Sequence, residues 1–220
     1  MRRAACLLLS LLALPSLAST ALVRADAADD AGAGAPDARA VLAQFAKVEA
    51  LSAHFHEEKH MALLAQPLRS EGTLHYAKPR LLVRHTERPH ASTVLLRGDT
   101  LSFGDDKHQE SLALSSQPAL GVLVDTFVSV LAGDLTALTR AADVSSEAGG
   151  HGGFRIRVIP KDAKVKRLVR AMTFEGQGAR LSRMELLDAN GDTTITTFSE
   201  VTVHKPASAA EQARIFRIGR

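Results

Sequence analysis

The chain has 220 residues, a formal net charge of +3 and a single cysteine. At 45% hydrophobic and 23% charged residues it is long and apolar enough for one globular domain with a sizeable core, which excludes a disordered or fibrous protein. Aromatics make up 4%, with no Trp and one Tyr, so Leu, Val and Ala must fill most of the interior.

Arg2 and Arg3 precede an uncharged stretch from Ala4 to Val23 and then small residues. This is the layout of a secretory signal, with Ser19-Thr20-Ala21 and Val23-Arg24-Ala25 both fitting a cleavage site. About 20 uncharged residues can also span a bilayer, but Pro15, Ser16, Ser19 and Thr20 weaken that reading. Residues 1–25 are therefore read as a signal peptide. Cleavage after Ala25 leaves 24 basic against 24 acidic residues, so the mature chain is neutral. The high pI is then no argument for nucleic acid or an anionic surface. Cys6 leaves with the signal, and the mature chain has neither a disulfide nor a cysteine nucleophile or metal ligand.

Residues 26–36, rich in Ala, Gly and Asp, form a flexible lead-in. A helix is predicted from Asp37, its N-cap, with Val41, Leu42, Phe45 and Val48 at helical spacing. The period then drops to two: Leu51, Ala53 and Phe55 alternate with Ser52, His54 and His56, a strand with one buried face. Further strands are predicted at 69–77, 81–88, 92–97, 100–104 and 108–114, too closely spaced for helical crossovers. They form an antiparallel meander, with Gly98-Asp99 as a tight turn.

From 117 to 140 the period returns to helical. Leu120, Leu123, Val124, Phe127 and Leu131 make one stripe, ended at Gly133, and Asp134 caps a second short helix. Val122, Val128 and Val130 widen the stripe, so this helix is buried or covers something apolar. After a Gly-rich loop at 147–153, strands follow at 154–160, 167–175, 180–188 and 193–204. The last two are joined by the hairpin turn Ala189-Asn190-Gly191-Asp192. A short strand is expected at 216–218. About ten strands with one leading helix and two inserted ones make a single domain. A sheet of that size must curl or close to bury a face, with the helices over its concave side.

No catalytic constellation emerges. His56-Glu57-Glu58-Lys59-His60 matches H-E-x-x-H, but that zinc chemistry needs a helix, and alternation here puts His56 and Glu57 on opposite strand faces with no third ligand downstream. The match is read as a solvated strand edge, and the chain as no enzyme and without a metal or cofactor. Stoichiometric zinc on the purified protein would revive a metalloenzyme reading through His56 and His60. His54 and His56 share a strand face, but two ligands do not make a site. The Gly149–Gly153 loop lacks the strand–loop–helix setting of a phosphate cradle. The basic run Lys161, Lys164, Lys166, Arg167 and Arg170 reads as a solvated edge, or else as a docking patch for an acidic partner.

The order of these elements resembles the LolA-type lipoprotein carrier family across residues 37–218. The resemblance is carried by VEALSAHF, by EGTLHYAKPRLL with its Lys-Pro after a Gly-initiated strand, by Arg88-Pro89, and by STVLLRGDTLSF. It continues through the mid-chain helices QPALGVLVDTFVSVLAGDLTAL and the strands from Arg155 to Val203. MALLAQPLRSEG is closer to divergent paralogues than to the housekeeping carrier. The resemblance implies an incompletely closed antiparallel β-barrel with lid helices over its mouth. It implies a periplasmic monomer that shields acyl chains and ferries lipoprotein or other lipid cargo from an inner-membrane ABC transporter to an outer-membrane receptor.

Leu74, Tyr76, Leu81, Val83, Phe103, Met184 and Leu186 are the candidates for the cavity wall. Leu120, Leu123, Val124, Phe127 and Leu131 are the candidates for the lid. Two departures stand out: Lys78 replaces the family's latching Arg, losing its planar fork of donors, and Arg84 replaces a common Trp. Both are candidates for lid or head-group contacts. The alternative is an envelope sensor or adaptor on the same fold, which requires a filled interior and a protein partner.

Overall fold

The computed structural model describes residues 37–219, and the signal and lead-in segments lie outside them. Helix α1 (Ala38–Phe45) starts where Asp37 accepts a hydrogen bond from the Arg39 N–H. It buries Val41, Leu42 and Phe45, the stripe that its spacing predicts. Eleven strands then build one antiparallel sheet. They are β1 (Ala50–His60), β2 (Leu68–Ala77), β3 (Leu81–Arg88), β4 (Ser92–Arg97), β5 (Thr100–Gly104), β6 (Gln109–Ala113), β7 (Ala142–Ala148), β8 (Phe154–Pro160), β9 (Val169–Gln177), β10 (Arg180–Asp188) and β11 (Thr193–His204).

The spatial order is β6-β5-β4-β3-β2-β1-β11-β10-β9-β8-β7, so two meanders are joined by the β1–β11 pairing and the sheet ends are not bonded to each other. The expected open barrel is present. Between the meanders run α2 (Pro118–Ala132) and α3 (Leu135–Ala141), separated at Gly133 and capped by Asp134 accepting from Ala137 N–H. The main core forms between α1, α2, α3 and the concave face of the sheet, around Phe45, Tyr76, Leu131, Leu138, Ile156 and Phe174. Phe45 packs edge-on against Phe154, their centroids 5.8 Å apart.

Three elements depart from the sequence expectation. Strand β7 pairs only with β8 and offers just Ala142 and Val144 to the interior, so its pattern is too weak to read as a strand. Residues 216–218 form no strand. A helix α5 (Ala209–Ile215) precedes them, and Phe216 is buried on the convex face with Ala50, Ala77, Val83 and Leu95. Side chains take the place of strand partners there: His85 Nε2 meets Ile215 O at 3.0 Å, and Arg97 Nη2 donates to Phe216 O at 3.0 Å. A short helix, α4 (Ala163–Lys166), also unexpected, forms within the β8–β9 connection with Val165 buried.

Candidate functional site

A cavity of about 720 Å³ lies between the concave face and α2, within the roughly 300–1,000 Å³ of small-molecule pockets. Helix α2 forms its roof with Leu120, Leu123, Val124 and Phe127, all only partly buried. The wall opposite is built by alternation. In β1, Phe55, Glu57 and Lys59 face inward, flanked on β11 by Phe198, Thr196 and Thr194. Leu74, Leu82, Leu96, Met172, Met184 and Leu186 line it from the neighbouring strands. The exposed lining residues, Leu68, Arg69, Pro89 and His90, cluster at one end and mark the mouth.

Leu74, Leu120, Leu123, Val124, Phe127, Met184, Leu186 and Arg84 are thus brought together around one space. The other expected lining residues are not. Tyr76 and Leu131 are 1% exposed within the packed core, and Phe103 is buried on β5 opposite Val94. Leu81 and Val83 point to the convex side and pack toward Phe216, because Leu82 and Arg84 hold the inward positions of β3. Burial pushes the Tyr76 hydroxyl up to about 12.

Lys78 lies outside the cavity. Its Nζ donates to Ala46 O at 2.6 Å, tying β2 to the end of α1 rather than to the roof. The residue that reaches the roof is Arg80, which the sequence reading missed: its Nη1 donates to Asp125 Oδ1 on α2 at 2.8 Å, and its Nε donates to Gly98 O at 3.1 Å. Arg80 lies two residues after Lys78 in the same turn, so the Lys-Pro connection carries two cations, one bonded to the end of α1 and one to α2.

Arg84 sits 4.2 Å over the Phe55 ring, and its Nη2 donates to Glu57 Oε1 at 2.9 Å and to Ser70 Oγ at 3.2 Å. Glu57 also accepts from Ser70 Oγ (3.3 Å) and, through Oε2, from Thr196 Oγ1 (3.0 Å). Farther along β1, Lys59 is 5% exposed and its Nζ stands 3.6 Å from Asp188 Oδ2, an ion pair beyond hydrogen-bond distance. Burial pushes the Asp188 carboxyl up to about 6, Asp192 adds to the shift, and Lys59 opposes it.

The H-E-x-x-H residues all lie on strand β1. His56 and His60 lie on the face opposite Glu57, about 13 Å apart at roughly 3.3 Å per residue, too far to share one ion. No group of three or more His, Cys, Asp or Glu among the described residues is arranged to hold a metal. The 161–170 basic run is dispersed: Lys161 bonds Thr139 O and pairs with Asp143, while Arg170 bonds Ala189 O. No helix of the described residues is long and apolar enough to cross a membrane.

Comparison with curated proteins gives no match. Among solved structures, the chain is similar to a LolA superfamily protein from Nitrosomonas europaea, with 12% identity, 84% of this chain and 98% of that one covered, and a TM-score of 0.45. It is also similar to an outer-membrane lipoprotein-sorting protein domain from Vibrio parahaemolyticus, with 11% identity, 82% and 100% covered, and a TM-score of 0.48. A third is the lipoprotein LppX of Mycobacterium tuberculosis, with 12% identity, 76% and 93% covered, and a TM-score of 0.39. The family model for LolA-like outer membrane lipoprotein carrier proteins matches residues 30–217. With nearly the whole described chain inside that match, the protein belongs to the LolA-like outer membrane lipoprotein carrier family.

Proposed function

We propose that this protein is a periplasmic, non-enzymatic chaperone that shields the acyl chains of a lipid or lipoprotein cargo and carries them toward the outer membrane. The observation that supports this most directly is the cavity roofed by Leu120, Leu123, Val124 and Phe127. Apolar side chains that could have collapsed onto the sheet instead border a cavity, which a close-packed interior avoids without a reason. Each buried methylene contributes about 0.8 kcal/mol, so ten of them supply about 8 kcal/mol of gross affinity without any specific contact. A sensor or adaptor working only through its surface has no use for a cavity of about 720 Å³, which favours the carrier reading. An inner-membrane ABC transporter and an outer-membrane receptor are the partners this role calls for; the Arg80–Asp125 bond would govern movement of α2, and the Lys78–Ala46 bond would hold the end of α1.

Protein purified from its native compartment without detergent should yield lipid or lipopeptide at near-stoichiometric level on organic extraction and mass spectrometry. Leu123→Asp or Phe127→Asp, each placing a charge in the apolar roof, should lower that yield at least tenfold while the fold remains intact. A clean extract from the native protein would overturn the carrier reading, and full retention by both variants would move the binding site elsewhere.

A further inference from the structure

The cavity wall is mostly apolar, and the densest hydrogen-bonded polar cluster on it spans four adjacent strands. Thr196, Glu57 and Ser70 lie side by side on β11, β1 and β2, with Arg84 reaching over from β3. A polar cluster facing an apolar roof costs desolvation wherever one of its donors or acceptors has no partner.

The hydrogen-bond accounts of the patch are uneven. Glu57 accepts from Arg84, Ser70 and Thr196, so both carboxylate oxygens are engaged. Arg84 has five N–H donors, of which only those on Nη2 meet an acceptor among the described residues. The N–H groups of Nε and Nη1 remain for a ligand, on a side chain that lines the cavity. The charges, by contrast, are balanced. Arg84 is matched by Glu57 at 2.9 Å, Lys59 by Asp188 at 3.6 Å, and Arg69 at the mouth by Glu58 at 2.8 Å. Every Lys or Arg of the lining therefore has a carboxylate beside it. A ligand carboxylate or phosphate at Arg84 would meet Glu57 across the same guanidinium, and like charges at that range repel. A carbonyl oxygen accepts from the same donors without adding charge.

Resting on the carrier reading above, we infer that Arg84 is a head-group site for an uncharged acyl linkage, the ester or amide carbonyl at the root of the acyl chain. The chain then runs under α2, and the cavity discriminates against free fatty acid anions. A carbonyl on the guanidinium also fixes the direction in which the chain enters, because the donors sit on one wall only.

The test uses the delipidated mature protein and the uncharged, carbonyl-free fluorophore N-phenyl-1-naphthylamine as a reporter of cavity occupancy. Monopalmitoylglycerol and palmitate compete for it at pH 7.5 below their aggregation concentrations. The native protein should prefer monopalmitoylglycerol at least tenfold. In Arg84→Met the ratio of monopalmitoylglycerol affinity to fluorophore affinity should fall about tenfold. In Glu57→Gln, which keeps the side-chain volume and leaves Arg84 charge-unmatched, palmitate should gain about tenfold and the preference should vanish or invert. Equal competition by the two lipids in the native protein overturns the inference, as does a loss in Arg84→Met shared equally by fluorophore and lipid. Failure of the native protein to bind the fluorophore or either lipid removes the cavity reading itself, an outcome distinct from binding without discrimination.

Discussion

At the residue scale, burial and charge meet most sharply at Lys59 and Asp188. Both side chains are nearly inaccessible, and neither Asp188 oxygen has a hydrogen-bond partner. The carboxyl is pushed from 3.8 up to about 6, chiefly by burial. An acid whose pKa is raised by folding binds its proton more tightly in the native state, so its contribution to stability grows as pH falls from above 6 toward 4. Between pH 7 and pH 5 this single group should stabilise the fold by about 1.4 kcal/mol. Other carboxylates titrate over the same range, so the comparison needed is with Asp188→Asn. Urea unfolding at both pH values should show the native protein gaining that amount relative to the variant on acidification. An unchanged difference would mean the carboxyl titrates normally.

At the scale of elements, Gly133 decides how closely the roof approaches α1. It ends α2 in the left-handed conformation at φ 70°, and a Cβ there would lie 2.3 Å from both Ala46 N and Leu42 O. Gly98, in the β4–β5 turn, has a similar φ of 58° with nothing within 4 Å of a Cβ. Asparagine tolerates the left-handed region, so replacing each glycine with it separates backbone strain from packing. Gly98→Asn should cost no more than about 0.5 kcal/mol, the level of an unconstrained surface change. Gly133→Asn should cost more than about 2 kcal/mol, because two backbones must part. Urea midpoints of the two variants make the comparison, and equal costs would show that α1 and α2 separate easily.

The same scale explains what the sequence could reveal. Strands β3, β4, β5, β8, β10 and β11 fall on their expected bounds, because Gly, Asn and Pro turns punctuate them. Four of the five residues in the expected α2 stripe border the cavity, while Leu131, at the end of the helix, packs into the core. The face of β3 was not legible. Leu81, Leu82 and Val83 are consecutive and apolar because both sides of that strand are covered, by α2 on one side and the Phe216 segment on the other. Where two faces are buried, alternation vanishes and a one-residue slip exchanges wall for exterior. Glu57 was hidden for a different reason: it lies within H-E-x-x-H, and its bonding to Ser70, Arg84 and Thr196 depends on strand neighbours up to 139 residues away.

At the scale of the whole molecule, the sheet separates two apolar clusters with different tasks. The concave one borders the cavity, whereas the convex one closes around Phe216 with Ala50, Ala77, Val83 and Leu95. Phe216 is 5% exposed and arrives from the far end of the chain, held by the Arg97 and His85 contacts. The Phe216 segment thus acts as a strap behind the cavity-bearing strands, packing on Ala50, Ala77, Val83 and Leu95. Phe216→Ala should cost about 3–4 kcal/mol, as expected for a buried aromatic truncated where the site cannot fully collapse. Cargo affinity should change less than twofold at temperatures where the variant is folded, because Phe55, Leu74, Leu82 and Arg84 keep their positions through strand pairing. Thermal unfolding and N-phenyl-1-naphthylamine titration on one preparation measure both quantities. A parallel loss of stability and affinity would mean instead that the strap sets the curvature of β2, β3 and β4, and that the convex core shapes the cavity through the sheet.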